Sequence, residues 1–342
     1  MEKKPILAIC YDFDKTLSPD DMQAQGYIQS VNYEVSDFWK ESNKLAADND
    51  MDQAQNLRNV IKVKNQSRKL DARVITVTSG KGGVGKSNVA VNLAVQISKM
   101  GKKVLIFDAD FGLANVEVMF GAVPRYNLGD FLFQGKSMTE IITEGPMGIG
   151  FISGGAGILS MNQLADEQIR YLVRGLAELD RYADVILIDT GAGISNQVME
   201  FVMASPEVLV VTTPEPSSLT DSYSLLKALY HNPLFSREQT DIRIVSNRVI
   251  SSEEGQQVYE KLNSVVEQFL DGSVNYLGMI PQDHMLERSV RQQKPVSLNA
   301  PLAKSARAFE VMASNLILQE EKLPDKRLGL ARMFSNFWQQ KY

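Results

Sequence analysis

Residues 79–87 read SGKGGVGKS, and this stretch decides the fold. The pattern G-x-x-x-x-G-K-[ST] is met in full by Gly80, Gly85, Lys86 and Ser87. Glycines at such spacing let backbone N–H groups turn toward phosphate oxygens, and a helix starting at the loop's end adds its positive dipole end. The flanks supply the expected context. VITVTS (74–79) reads as a buried strand, and SNVAVNLAVQISKMG (87–101) as an apolar-periodic helix stopped by Gly101. Lys86 would neutralise β/γ-phosphate charge, and Ser87 would offer its hydroxyl to Mg²⁺. Lys81 is a second lysine that the motif does not require.

Working outward, KVLIFDAD (103–110), MGIGFISGG (147–155), DVILIDTGAG (184–193), PEVLVVTTPE (206–215), DIRIVSNRV (241–249) and VNYLGMIPQD (274–283) read as further strands. DEQIRYLVRGLAELDRYA (166–183) reads as a helix between two of them. Near-continuous Val/Ile/Leu runs separated by helices predict a mainly parallel, twisted α/β sheet with helices on both faces. Ligands in such sheets bind beyond the carboxyl ends of the strands, where the motifs fall. Asp189 ends one strand, where it would serve the metal; a helix cap is the plainer alternative. Asp108 and Asp110 end another, where one carboxylate would hold the attacking water.

Composition prunes the function classes. The net charge of -5 provides no global basic field, which argues against nucleic acid as a partner. Cys10 is the only cysteine, excluding a disulfide framework, a cysteine zinc site and an intrachain iron–sulfur cluster. The two histidines, His231 and His284, are far apart and read as packing or surface residues. No stretch approaches the ~20 apolar residues of a membrane span. MEKKPILAICYDFDK shows no small-residue cleavage site, so the cytoplasm is the expected compartment.

With its extra lysine, KGGVGKS resembles the deviant Walker A motif of the MinD/ParA-type ATPases, P-loop NTPases of the SIMIBI type. DADFGLAN resembles their switch I, DTGAG their switch II, and LGMIPQDHMLERSVRQQKPV their C-terminal strand-loop-helix segment. The resemblance covers roughly residues 71–320. It implies ATP and Mg²⁺ as ligands and a slow, switch-type ATPase. The nucleotide-binding set it implies is Gly80, Lys81, Gly82, Gly83, Val84, Gly85, Lys86, Ser87 and Asn88, with Asn247 and Pro281 at the adenine. Ser87, Asp189 and Asp108 fall to the metal, and Asp110 to the water. Lys81, with Lys86 and Asp110 in the catalytic set, is expected to reach the nucleotide of a second copy, which implies an ATP-dependent homodimer.

Within the family, the flagellar-regulator branch (FlhG, also called YlxH or FleN) is the nearest resemblance. MDQAQNLR (51–58) fits the activator segment of that branch, and the form of DADFGLANVEVMFG also fits it. Asp52, Gln53, Ala54, Leu57 and Arg58 would then act on the signal-recognition-type GTPase FlhF, with flagellar switch (C-ring) proteins as further partners. KVKNQSRKLDAR follows as a basic linker. In the C-terminal stretch Leu330, Met333, Phe334, Phe337 and Trp338 gather on one helical face, the pattern of an interfacial amphipathic helix for an anionic membrane surface; a helix docked on the parent domain is the plainer alternative, and docking in the ATP-free state is compatible with both. The expected location is therefore cytoplasmic, with peripheral membrane association in the ATP-bound dimer. Other readings are a division-site MinD, a partitioning ATPase and a non-hydrolysing ATP-binding scaffold.

CYDFDKTL (10–17) has the D-x-D-x-T form of the haloacid-dehalogenase (HAD) phosphatases, with Asp12 as nucleophile and Asp14 as acid/base. Only about 50 residues surround it, too few for that doubly wound domain. The expected layout is a HAD-like fragment at 1–50 joined at Met51, a partner segment and linker at 51–72, the ATPase domain at 73–320, and the amphipathic helix at 321–342.

Overall fold

The structure is a computed structural model, and it describes residues 71–110, 115–155, 166–318 and 329–341. All belong to the unit Leu70–Tyr342. The HAD-like fragment, the 51–58 segment and the 111–114 part of DADFGLAN lie outside the described residues.

In chain order, the first elements are β1 (Arg73–Ser79), α1 (Lys86–Lys99), β2 (Val104–Ala109), α2 (Asn115–Phe120), α3 (Leu128–Phe133), β3 (Thr143–Glu144) and β4 (Gly150–Ser153). Next come α4 (Asp166–Tyr182), β5 (Val185–Ala192), α5 (Asn196–Ala204), β6 (Glu207–Thr212), α6 (Pro216–Tyr230), β7 (Asp241–Val249) and α7 (Ser252–Leu270). The last are β8 (Asn275–Pro281), α8 (His284–Arg291), α9 (Val296–Asn299), α10 (Lys304–Leu318) and α11 (Leu330–Lys341). The strands form one eight-stranded sheet in the order β3-β4-β2-β5-β1-β6-β7-β8. Every pairing is parallel except the short β3–β4 pair.

The unbroken apolar runs make sense once both faces are covered. Successive side chains alternate across a strand. Ile75, Val77, Val185 and Leu187 accordingly enter the core under α1 and α10, while Val74, Ile186 and Ile188 enter the opposite core with α4 and α11. A third cluster lies between β6, β7 and helices α5, α6 and α7. Helix α1 is buried from Val89 to Ile97, and the two amide side chains in that stretch are satisfied. Asn92 Oδ1 accepts from Ser297 N at 2.9 Å, and Gln96 Nε2 donates to the Ala306 carbonyl at 3.1 Å.

The strand expected over 147–155 is shorter. A single 3₁₀ turn, Pro146–Gly148, precedes β4, and left-handed Met147 (φ 60°) and Gly148 (φ 72°) prevent extension. At the opposite end of the sheet from the phosphate loop, Arg73 forks onto Glu207 through Nε and Nη2, both at 2.6 Å, and donates Nη1 to the Leu316 carbonyl. This almost fully buried fork ties β1, β6 and the end of α10.

The C-terminal helix is part of this body. Leu330, Met333 and Phe334, read from sequence as membrane-facing, are buried in the core against α4 and α5. The Phe334 ring meets Phe201 edge-on with centroids 5.3 Å apart. The side chains of Phe337 and Trp338 lie outside the described residues.

Candidate nucleotide site

The loop 79–87 joins β1 to α1 at the sheet's carboxyl edge. Gly83 (φ 75°) and Gly85 (φ 100°) adopt left-handed conformations that β-carbons disfavour. Gly80 is forced by proximity instead: a Cβ there would stand 2.1 Å from the Asp221 backbone carbonyl of α6. Gly85 occupies the N-cap of α1, and no side chain caps that helix end. The first-turn N–H groups therefore remain oriented for an anion.

Lys86 is 8% exposed, and Ser87 and Asn88 are half-buried beside it. β2 and β5 pair in a register that sets Asp108 directly beside Asp189. Asp189 is fully buried, and among the described residues neither carboxylate oxygen has a hydrogen-bond partner. Burial raises its pKa to about 6, opposed by the nearby Ser87 hydroxyl and Lys86 ammonium. The Ser87 hydroxyl stands near the Asp189 carboxylate without meeting hydrogen-bond geometry. Asp108 accepts from Asp110 N at 3.1 Å and from Val116 N at 3.2 Å. Burial, reinforced by Asp189, pushes its carboxyl up to about 8. Asp110 is half-buried and accepts from Asn115 Nδ2 at 3.4 Å.

These residues fit Mg²⁺. A buried carboxylate with two unpartnered oxygens beside a serine hydroxyl is the donor set of a hard, oxygen-liganded cation completed by phosphate and water. Ser87 and Asp189 would hold the ion, with Asp108 behind them. The remaining expected residues are distributed as follows. Asn247 is buried and turned onto the loop, its Nδ2 donating to the Val84 carbonyl at 2.6 Å. Pro281 ends the adjacent strand β8, paired with Val249. Lys81 is bound within its own chain, donating to Ser217 Oγ at 2.7 Å and to Glu215 Oε2 at 3.1 Å.

Three contributors escape the sequence reading. Glu215 and Ser217 follow a strand end in PEPSS, a position that could have drawn notice. Asp180 carries no such signal. From the end of α4 it accepts the backbone N–H of Leu330 at 2.5 Å and of Ala331 at 3.2 Å, capping α11 from far along the chain.

Comparison with known proteins places the chain. The model of the CobQ/CobB/MinD/ParA nucleotide binding domain matches residues 75–296, a span that contains the loop and all three aspartates. The chain belongs to the MinD/ParA family. It is 37% identical to the antiactivator FleN of Pseudomonas aeruginosa over 71% of this chain and 86% of FleN. It is 34% identical to the flagellum site-determining protein YlxH of Helicobacter pylori over 82% of this chain and 96% of YlxH. Among solved structures, the septum site-determining protein MinD of Pyrococcus horikoshii, complexed with Mg-ADP, aligns with a TM-score of 0.57 at 27% identity. That alignment covers 75% of this chain and 98% of that one. These relatives place the chain in the FlhG branch of the family.

The buried carboxylates give a pH-dependent prediction. Burial raises the folded pKa of Asp189 and Asp108 above the ordinary 3.8. The folded chain therefore holds more protons than the unfolded chain between about pH 4 and 8, and these groups' contribution to stability falls as pH rises through that window. Asp189→Asn removes the charge without breaking a hydrogen bond. The nucleotide-free variant should melt on the order of 2–6 °C higher at pH 8 and little differently at pH 4. The same variant should lose the Mg²⁺-dependent part of nucleotide binding, measured by titration calorimetry with and without the ion.

Proposed function

We propose that the chain is an ATP-driven dimerising switch that regulates flagellar number or placement, hydrolysing ATP slowly. The observation carrying this reading is the meeting of Lys86, Ser87, Asp189 and the Asp108–Asp110 pair around one left-handed glycine loop. Lys86 and the loop N–H groups bind the triphosphate. Bound Mg²⁺ would supply charge neutralisation across the β- and γ-phosphates. Asp110 orients the attacking water. Asn247 and Pro281, at the ends of neighbouring strands, flank the adenine. The similarity to FleN and YlxH supports the flagellar assignment over the division-site and partitioning readings.

Lys81 makes the nucleotide the link between two copies. Its bonds to Glu215 and Ser217 are solvent-exposed, and an exposed ion pair of this kind contributes only about 0–1 kcal/mol. Lys81 can therefore leave Glu215 for the phosphates of a second subunit at little cost. Lys81→Ala should still bind ATP yet fail to form the ATP-dependent dimer in size-exclusion chromatography; dimerisation at wild-type levels would overturn the assignment.

Two outputs follow from nucleotide state. The first is partner activation: Asp52, Gln53, Ala54, Leu57 and Arg58 act on an FlhF-like GTPase. Deleting residues 52–58 should abolish stimulation of that GTPase, and a full-length chain giving no stimulation would favour a division-site role. The second is peripheral membrane binding through α11, with Phe337 and Trp338 joining the face of Leu330, Met333 and Phe334. No described helix is long and apolar enough to cross a membrane. Because Leu330, Met333 and Phe334 are buried here, binding an anionic bilayer through them requires α11 to detach. Asp180→Ala removes its cap, so co-sedimentation with anionic liposomes should rise several-fold without ATP. Unchanged, negligible binding with either nucleotide would overturn the membrane role.

A further inference from the structure

Two neighbouring residues near the end of β7 hold two neighbouring carbonyls of the phosphate loop. Asn247, 3% exposed, donates Nδ2 to the Val84 carbonyl at 2.6 Å. Its Oδ1 accepts the Arg248 backbone N–H at 2.8 Å, and Arg248 Nη2 donates to the Gly83 carbonyl at 2.9 Å. Gly85 makes room for this approach, since a Cβ there would stand 2.5 Å from Asn247 Nδ2.

The backbone is bent to permit it. In a regular strand residues 247 and 248 would point to opposite faces. Arg248 instead has φ 58°, a left-handed conformation that costs a non-glycine residue energy, and the β7–β8 register shifts between Asn247 and Val249. That departure brings both side chains onto the same loop.

We propose that Arg248 is a positioning residue of the nucleotide site: with Asn247 it pins the Gly83 and Val84 carbonyls, so that the loop's N–H groups stay directed at the phosphates. A carbonyl free to rotate into the loop would present a negative dipole end to the triphosphate. Engaging both carbonyls from the side removes that alternative before the ligand arrives. The inference rests on the nucleotide-binding reading of the loop. It differs from a base contact in that its effect reaches every triphosphate, whatever base is attached.

The test uses the full chain with Mg²⁺ and a fluorescent ATP analogue, displaced by ATP, GTP, CTP or inorganic tripolyphosphate. Arg248→Ala should weaken all four competitors by a similar factor, about 3–10-fold, the range for loss of one net hydrogen bond. Amide hydrogen exchange across residues 82–87 should quicken in the same variant. Arg248→Lys should restore part of the affinity, because its ammonium can still donate to the Gly83 carbonyl. Arg248→Gly should raise the melting temperature by relieving the backbone while still weakening binding, a divergence that a purely structural role would not produce. Wild-type affinity in Arg248→Ala would overturn the proposal, as would a loss confined to ATP. A wild-type chain that binds none of the four would overturn the nucleotide reading, and this inference with it.

Discussion

Two carboxylates, Asp108 and Asp189, stand side by side at the ends of adjacent parallel strands, withdrawn from water. Like charges in that position are costly unless protons or cations neutralise them. The surrounding structure is arranged around that constraint. Lys86 arrives from the first turn of α1, Ser87 follows it, and Val116 and Asp110 donate backbone N–H groups to Asp108. The carboxylates and the phosphate loop share one requirement, a dense arrangement of positive ends at the carboxyl edge of the sheet. A Mg-nucleotide would meet it from the ligand side, completing charges that the folded chain leaves only partly compensated.

The body that holds this edge steady is organised differently at its other end. There the buried ions are paired: Arg73 forks onto Glu207, and Arg243 bonds Asp241 at 2.7 Å. Breaking one partner of such a pair strands a buried charge, so the base of the sheet resists rearrangement. Helix α11 joins this body through Leu330, Met333 and Phe334, which are buried against α4 and α5, and its first turn is capped by Asp180, whose own carboxyl burial holds up to about 6. Gly329 (φ 67°) fits beneath that carboxylate because it lacks a Cβ, which would stand 2.7 Å from Asp180 Oδ2. An amphipathic helix thus has its apolar face matched to protein here, and the same face would suit a bilayer.

Much of this was legible in the chain. The loop pattern with its flanking strand and helix named the phosphate site, because glycine spacing and a lysine before a serine carry their chemistry locally. The parallel sheet followed from unbroken Val/Ile/Leu runs, since only strands covered on both faces can afford them. β3 escaped notice because two residues show no periodicity. The 147–155 run looked longer than it is because Met147 takes a left-handed conformation that its side chain does not advertise.

The sequence by itself determined the class of fold, the phosphate loop and the candidate carboxylates, since each is written in short-range spacing. Only the tertiary structure decided that Asp108 and Asp189 are neighbours, because strand order and register depend on packing across the whole sheet. It also decided that Lys81 rests on Glu215 and Ser217, that Asp180 caps a helix 150 residues away, and that Asn247 and Arg248 grip the phosphate loop. Those contacts join residues far apart in the chain, and no local pattern encodes which distant partner a side chain will meet.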